Sequence, residues 1–316
     1  MTRRTTMSPE ISVVISTYTL DRWDVLREGI AALSEQTHEP HQVLVVVDHQ
    51  PTVLERVASD LDGAVALPSR GRPGLAGCRN TGAQAATGSV VAFLDDDAVP
   101  APDWLERLAE PYEDAGVVAV GGDVVPSWSD ARPSWFPPEF DWVVGCSYRG
   151  LPTTRAPVRN LIGANMSFRR EVFEHIEFFS GLGHANGRPL GGEETDFCIR
   201  LAEAFEGGRI VYEPQARVRH YVPADRARFA YFLRRCYNEG VSKGVLAGRV
   251  GSRVGLASER SYVRAILPGA AKGAVSDMVG NRRPSSALRI GATAVGLAAA
   301  TSGYAASRLR RLSAVS

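Results

Sequence analysis

VVAFLDDD, residues 90–97, is an apolar run that ends in three consecutive carboxylates, Asp95, Asp96 and Asp97. The apolar part has the composition of a strand that is buried on both faces, as in a parallel sheet. Adjacent carboxylates repel one another, and a divalent cation relieves that repulsion. Oxygen ligands suit Mg²⁺ or Mn²⁺, which in turn bridge phosphate oxygens. The stretch therefore predicts a metal site at a strand end, although a solvated turn or a helix cap has the same pattern.

Strand-like and helix-like segments alternate on both sides of this stretch. Apolar β-branched runs over 10–18 and 42–47 predict strands, and the spacing of apolar residues over 21–36 predicts a helix. A small-residue helix over 75–87 precedes the strand predicted over 89–94. This alternation is typical of an α/β fold with a doubly wound sheet, in which ligands bind at the carboxyl ends of strands. Further along, the pattern predicts strands over 159–168 and 209–212, a helix over 194–205 and an irregular ordered loop over 126–157.

Other polar residues occupy places where the predicted sheet presents them to a ligand. Asp48 follows the strand 42–47, where a carboxylate can accept hydrogen bonds from a nucleobase or ribose, although a turn residue is the simpler reading. Arg79 and Asn80 lie near the start of the helix before the acidic strand, which suits contacts to a nucleotide. His220 follows the strand 209–212 and is a candidate third metal ligand, or a structural histidine.

A second acidic cluster, GGEETD at 191–196, opens the predicted helix 194–205. Acidic residues in a first helical turn interact favourably with the helix dipole, by about 0.3 to 1 kcal/mol, which is explanation enough for their presence. The functional interpretation is a general base, since a carboxylate near other carboxylates can have its pKa raised toward neutrality. The sequence alone leaves both interpretations open.

Taken together, the motifs resemble those of the family 2 glycosyltransferases, over roughly residues 10–222. Each motif is weak by itself, but their order and spacing are specific. The motifs are ISTY (15–18), VVVD (45–48), GLAGCRNTG (74–82), FLDDD (93–97), GANMSF (163–168) and GGEETDFCIRL (191–201).

The resemblance implies a GT-A fold, with a mixed, mostly parallel sheet, and an inverting transfer from a nucleotide-diphosphate sugar. It implies that Thr17, Tyr18 and Asp48 hold the base and ribose, with Arg79 and Asn80 nearby. We expect a uracil base, and hence a UDP-sugar donor. The sequence does not identify the donor sugar, the acceptor or the oligomeric state.

The family's metal motif is a DxD pair, which here is Asp95 and Asp97. By this resemblance Asp97 ligates Mg²⁺ or Mn²⁺, and Asp95 contacts the metal and the ribose or donor sugar. Asp96 lies between them on the nucleotide-sugar side, and His220 matches a histidine that often completes the metal site.

The family's helix-start motif usually reads Glu-Asp-x-Asp, with the general base at its second position. Glu194 occupies that position here and is one methylene longer than the usual Asp, so Asp196 is the second candidate. The acceptor side is expected to comprise Gly163, Ala164, Asn165, Met166 and Glu193.

The C-terminal part of the chain is strongly basic. Residues 226–316 contain 16 Lys and Arg against three Asp and Glu, whereas residues 1–225 contain 20 against 32. Aromatic and basic residues are mixed over 226–237, as in an interfacial helix. The uncharged run 290–306 is shorter than a typical membrane span and rich in Gly, Ala and Thr. We predict peripheral docking on an anionic membrane. The alternatives are a solvent-exposed or oligomer-forming helical appendage and a membrane span, and we do not expect nucleic acid as a partner. The predicted domains are a tail (1–9), a catalytic domain (10–225) and a basic, largely helical region (226–316).

The cysteines and the N-terminus indicate a cytoplasmic location, at most peripheral at the inner face of the membrane. The four cysteines lie far apart and lack the spacing of metal ligands, which indicates reduced thiols; they are Cys78, Cys146, Cys198 and Cys236. Residues 1–9 lack the apolar segment of a signal peptide.

The sequence has three alternative functional interpretations. A nicotinamide-dependent dehydrogenase is excluded because residues 17–21 read TYTLD where that class requires a glycine-rich turn. A metal-dependent nucleotidyltransferase remains open, since it uses the same kind of acidic site. A non-catalytic module that binds nucleotide-sugar also remains open, although the complete set of carboxylates argues against it.

Overall fold

The structure is a computed structural model that describes residues 8–178, 184–185, 188–189, 191–250 and 284–312. The chain forms two compact units. The first unit consists of Met1–Val125, Pro152–Ser180 and Phe197–Tyr221, and the second of Pro126–Leu151, Gly181–Asp196 and Val222–Ser316. The predicted boundary at residue 225 lies close to Tyr221, while two earlier segments group with the C-terminal helices.

Strands and helices alternate along most of the first 110 residues, and five of these elements match segments that the sequence pattern predicts. The elements are β1 (Ile11–Thr17), α1 (Trp23–Ser34), β2 (Gln42–Val47), α2 (Pro51–Asp60), β3 (Val65–Pro68), α3 (Leu75–Ala85), β4 (Val90–Asp95), β5 (Ala98–Pro100) and α4 (Trp104–Ala109).

Longer strands and helices follow. They are β6 (Val117–Trp128), β7 (Ala156–Pro157), β8 (Asn165–Arg169), β9 (His184–Ala185), β10 (Arg188–Pro189), α5 (Glu193–Ala204), β11 (Arg209–Val222), α6 (Phe229–Val250) and α7 (Pro284–Leu312). Short 3₁₀ helices lie at Glu110–Glu113, Pro138–Val144, Arg170–Glu174 and Ala224–Ala227.

Nine of the described strands form one mixed sheet, in the order β3-β2-β1-β4-β8-β6-β11-β5, with β7 paired to β11. The predicted mixed α/β fold is thus confirmed. Parallel pairing joins β3, β2, β1 and β4, whereas the β4–β8, β8–β6 and β11–β5 pairs are antiparallel. The parallel half brings the carboxyl ends of β1, β2 and β4 to the same sheet edge, where ligands bind in such folds.

Aromatic packing fixes the strand that carries the acidic triplet. Phe93 of β4 makes edge-to-face contacts with Phe168, Phe173 and Phe178, and Phe178 stacks on Phe197 with ring centroids 4.1 Å apart. Burial of such a side chain stabilises a fold by about 1.5 to 3 kcal/mol. This cluster therefore holds the end of β4 rigidly in the first unit.

Two elements differ from the sequence prediction in ways that matter for the site. The strand predicted over 159–168 is confined to β8, because the chain turns at Gly163 and Ala164. The strand predicted over 209–212 continues to Val222, because its second half alternates buried and exposed residues with the period of a strand. His220 therefore lies within β11 instead of after a strand.

Close helix packing dominates the second unit, where α6 contacts α7. A Cβ atom on Gly240 of α6 would overlap the carbonyl oxygen of Ala300, and one on Gly303 of α7 would overlap that of Tyr237. Beside these helices, Phe232 packs against Trp135, Phe136 and Phe140. The two helix backbones approach this closely because glycine occupies the contact positions.

We expect Gly240→Ala to lower the free energy of unfolding by about 1 to 3 kcal/mol, because the added methyl group forces the helices apart. Gly291→Ala on α7 is the matched control, since a Cβ atom there meets nothing within 4 Å. That control should be neutral or stabilising by up to about 1 kcal/mol. Urea unfolding followed by circular dichroism measures both; equal effects of the two substitutions would contradict the packing.

All four cysteines of the chain lie among the described residues, and each is a buried free thiol. Burial raises the pKa of Cys78 and of Cys236 to about 12. Within the described ranges, none of the helices has the length and apolar character needed to cross a bilayer.

Candidate metal and donor site

The acidic triplet and His220 come together at the edge of the sheet. Asp95 ends β4, and β5 begins directly after Asp97. Because β5 pairs with β11, His220 lies opposite Ala98, and the backbone N–H of Tyr221 donates a 2.7 Å hydrogen bond to the carbonyl oxygen of Asp97. Strand register therefore brings together residues that are far apart in the sequence.

These side chains have the geometry of a divalent-cation site. One ligand atom from each of Asp95, Asp97 and His220 lies within 4.8 Å of the others. His220 Nε2 is 3.1 Å from Asp97 Oδ1, and both side chains are buried. Two carboxylates and one imidazole form a donor set that suits Mn²⁺ or Mg²⁺, so the residues fit the predicted metal.

Arg22, which the sequence interpretation missed, binds the same acidic triplet. Its Nη1 atom lies 2.7 Å from Asp96 Oδ1 and 3.0 Å from Asp97 Oδ2, and its guanidinium lies 5.2 Å from the centre of the Tyr18 ring. Burial acts to lower the pKa of Arg22, but the charges of Asp96 and Asp97 outweigh it and the pKa is raised. Burial raises the pKa of Asp96 to about 7, against the opposing effect of Arg22. Asp96 is thus an ion-pair partner inside the protein.

The predicted nucleotide-binding residues of β1 and β2 lie at neighbouring strand ends. Asp48 N–H donates a 2.8 Å hydrogen bond to the carbonyl oxygen of Thr17, and Tyr18 is exposed. Asp48 Oδ2 accepts a 2.8 Å hydrogen bond from Gly74 N–H, which fixes the loop before α3. Its Oδ1 atom is buried and accepts no hydrogen bond from the described part of the chain. Such an oxygen is costly to leave unsatisfied, which favours a ligand hydroxyl or N–H there.

Arg79 and Asn80 have partners within the protein. Arg79 is 2% exposed, its Nη2 atom lies 3.6 Å from Asp95 Oδ1, and it donates a 3.3 Å hydrogen bond to the carbonyl oxygen of Gly163. Asn80 Oδ1 accepts a 2.8 Å hydrogen bond from Phe178 N–H. Arg79 therefore contacts Asp95 in the structure, and its contact with the nucleotide stays a prediction.

Of the predicted acceptor-side residues around β8, three are buried. Asn165 Oδ1 accepts a hydrogen bond from Trp104 Nε1, and its Nδ2 donates to the carbonyl oxygens of Asp123 and Ala216. Ala164 and Met166 are buried as well, and only Gly163 is partly exposed. Both ends of the Asn165 amide are therefore bound inside the first unit, and the place of these residues on the acceptor side stays a prediction.

The candidate general bases lie in the first turn of α5. Gly192, with φ of +99°, precedes the helix and accepts a 3.0 Å hydrogen bond from Asp196 N–H. Glu193 and Glu194 are partly exposed, whereas Asp196 is 5% exposed. A base that takes a proton from a substrate must be accessible to it, so exposure favours Glu194 over Asp196.

The sequence profile of the family described as "Glycosyl transferase family 2" matches residues 12–177. The chain is similar to a glucosyl-dolichyl phosphate glucuronosyltransferase from Haloferax volcanii, with 37% identity over 242 residues that cover 75% of this chain and 77% of that protein. It is also similar to the succinoglycan biosynthesis protein ExoM from Rhizobium meliloti, with 32% identity over 171 residues, 53% of this chain and 51% of ExoM.

Among solved structures, the mannosyltransferase PcManGT from Pyrobaculum calidifontis, in complex with GDP-Man and Mn²⁺, matches the fold. The TM-score is 0.57 at 21% identity, over 96% of this chain and 88% of that chain. At that identity the likeness shows the fold alone. The family match and the relatives establish the chain as a glycosyltransferase of family 2, with the GT-A fold.

Proposed function

We propose that this glycosyltransferase moves a sugar from a nucleoside-diphosphate sugar to an acceptor hydroxyl, with inversion and with a divalent metal. The observation that supports the proposal most is the cluster of Asp95, Asp97 and His220 at the carboxyl edge of the sheet. Asp97, His220 and Asp95 would hold the metal, with Arg79 Nη2 3.6 Å from Asp95 Oδ1. When bound, the metal would supply positive charge that offsets the negative charge of the departing diphosphate.

The nucleoside is held at the adjoining strand ends in this proposal. Thr17 and Tyr18 at the end of β1 adjoin Asp48 at the end of β2, and Asp48 offers its buried Oδ1 atom to the ribose or base. A carboxylate that accepts a hydrogen bond from a ligand gives strong, directional recognition, because one partner is ionised. These contacts orient the donor but leave the identity of its base open.

Glu194 is the general base of the proposed reaction. Its carboxylate accepts the proton of the acceptor hydroxyl while that oxygen attacks the anomeric carbon and the bond to the diphosphate breaks. A single displacement of this kind inverts the configuration of that carbon. Asp196, two residues further along α5, is too deeply buried to be the first choice and is proposed to position the helix start.

We further propose that the acceptor is lipid-linked and that the donor is a UDP- or GDP-sugar. The relative from Haloferax volcanii is named for action on glucosyl-dolichyl phosphate, which supports a lipid-linked acceptor here. The fold neighbour was solved with GDP-Man and Mn²⁺, which supports including GDP-sugars and Mn²⁺ beside UDP-sugars in any test.

The test is a panel assay of the purified protein with UDP-, GDP- and dTDP-sugars and lipid-phosphate-linked acceptors, with Mn²⁺ or Mg²⁺ and with EDTA. Release of nucleoside diphosphate that EDTA abolishes supports the proposal and identifies the donor. Release of pyrophosphate would instead indicate the nucleotidyltransferase alternative. Metal-dependent nucleotide binding without turnover across the panel would indicate the binding module.

We also propose that α7 docks on an anionic phospholipid surface. Leu288, Val295 and Leu309 of α7 are exposed, and the helix contains four arginines and no acidic residue. Exposed apolar side chains together with several arginines on one helix are the combination that lies at a membrane interface. Such docking would bring the enzyme to a lipid-linked acceptor.

We expect Arg308→Glu with Arg310→Glu to weaken binding to vesicles of 30% phosphatidylserine by roughly tenfold or more, since each arginine near such a surface contributes about 1 kcal/mol. Co-sedimentation of the full chain measures this. The matched control is Arg27→Glu with Arg217→Glu, which makes the same charge change at exposed positions in the first unit. Equal binding of both variants and the wild type would rule out α7 as the anchor.

A further inference from the structure

Arg22 is a basic residue that directly contacts the carboxylates of the candidate metal site. It immediately precedes α1, and its Nη1 atom contacts two of the three consecutive carboxylates, at 2.7 Å from Asp96 and 3.0 Å from Asp97. The Arg22 side chain is 21% exposed, whereas those of Asp96 and Asp97 are 4% exposed. Water and salt therefore screen this ion pair less than they would an exposed one.

Both oxygens of Asp97 lie close to other side chains of the site. Oδ2 accepts a hydrogen bond from Arg22, and Oδ1 lies 3.1 Å from His220 Nε2. A divalent cation that uses Asp97 as a ligand would therefore share this carboxylate with the positively charged guanidinium of Arg22. The two cations compete for the same negative charge, and their mutual repulsion weakens metal binding.

Arg22 also has a contact that would remain if it moved away from Asp97. Its guanidinium lies over the ring of Tyr18, which is 59% exposed, and this interaction does not involve the carboxylates. Tyr18 also belongs to the strand end where the nucleoside is proposed to bind. Movement of Arg22 away from Asp97 would therefore be coupled to events at the nucleotide.

We propose that Arg22 is an internal counter-cation of the acidic triplet, which keeps the affinity for a free divalent metal low until the donor diphosphate adds its negative charge. The inference rests on the metal site of the proposed function. It implies that metal and nucleotide bind cooperatively, because the diphosphate draws both Arg22 and the metal toward it.

The test compares Mn²⁺ binding to the wild type, Arg22→Gln and Arg22→Lys, read from the electron paramagnetic resonance signal of free Mn²⁺ at constant ionic strength. Arg22→Gln should bind Mn²⁺ alone about tenfold more tightly than the wild type, since a repelling charge is gone. Arg22→Lys should stay near the wild type, because it keeps the charge. Arg27→Gln, an exposed position on α1, controls for the loss of one positive charge elsewhere and should change affinity less than twofold.

Repeating the titration with saturating GDP or UDP tests the coupling. Nucleotide should tighten Mn²⁺ binding more in the wild type than in Arg22→Gln. A wild type that binds no Mn²⁺ under any condition would sink the proposed metal site itself. If the wild type binds Mn²⁺ and Arg22→Gln binds it equally tightly or more weakly, only the proposed role of Arg22 would be overturned.

A second measurement protects the test against a variant that does not fold. Titration of the ¹⁵N-labelled wild type with Mg²⁺ follows the arginine Nε–H resonances, and Arg22→Lys identifies the one that belongs to Arg22. We expect that resonance to move as Mg²⁺ binds, because the guanidinium loses its carboxylate partner. A resonance that stays fixed while Mg²⁺ binds would overturn the proposal.

Discussion

Replacement of Asp97 by Asn is expected to lower kcat/KM by roughly 10³-fold or more, the scale at which removal of a metal's charge stabilisation is felt. Asp97 lies at the centre of the site, since its two carboxylate oxygens face Arg22 and His220. Asn keeps the size of the side chain but loses the negative charge that attracts a cation. The affinity for Mn²⁺ should therefore fall together with turnover.

Steady-state kinetics of nucleoside-diphosphate release and calorimetric titration with Mn²⁺ measure the two effects. Asp114→Asn is the matched control, because Asp114 is an exposed carboxylate that pairs with Arg209 away from the acidic triplet. Circular dichroism establishes that each variant is folded. Loss of turnover with unchanged Mn²⁺ affinity would show that Asp97 acts in some other way than as a metal ligand.

Glu194→Gln should lower kcat by roughly 10²- to 10⁴-fold, the usual range for loss of a general base. Gln has nearly the same shape as Glu but does not accept a proton at neutral pH, so the hydroxyl of the acceptor is no longer activated. Binding of the donor and of Mn²⁺ should be unchanged, because Glu194 is not among the three clustered ligands. A fall in kcat with intact donor affinity is the distinguishing result.

The control for this variant lies on the same helix. Glu203→Gln makes the identical chemical change at an exposed position in the last turn of α5 and should leave kcat within twofold. Asp196→Asn tests the second candidate. A larger fall in kcat for Asp196→Asn than for Glu194→Gln would transfer the role of base to Asp196.

The sequence was sufficient to predict three of the four parallel strands and the place of the acidic triplet. Buried parallel strands are short apolar runs, so β1, β2 and β4 are visible in the pattern, and ligand-binding residues follow such strands. His220 was predicted as a candidate ligand, with a structural histidine as the alternative, and the family resemblance favoured the ligand. Its approach to Asp97 depends on the register between β5 and β11, which local sequence does not specify.

Other features depend on tertiary contacts and were not predicted. Arg22 reaches Asp97 across 75 residues of sequence, and nothing near either residue marks the pair. The burial of Arg79 and Asn165 likewise results from packing around Phe178 and Trp104, which the sequence pattern does not reveal. The extension of β11 was detectable in principle, since residues 215–222 alternate in polarity, but charged residues on the outer face obscured it.

The burial of every native cysteine makes the chain suitable for single-site spectroscopic labelling. A thiol with a pKa of about 12, as burial gives Cys78 and Cys236, is almost wholly protonated at neutral pH and reacts slowly with maleimides. A cysteine introduced at Ser302, an exposed position on α7, would then be the preferred target. A polarity-sensitive fluorophore at that position would report directly whether this helix enters a lipid interface, without removal of any native residue from the core.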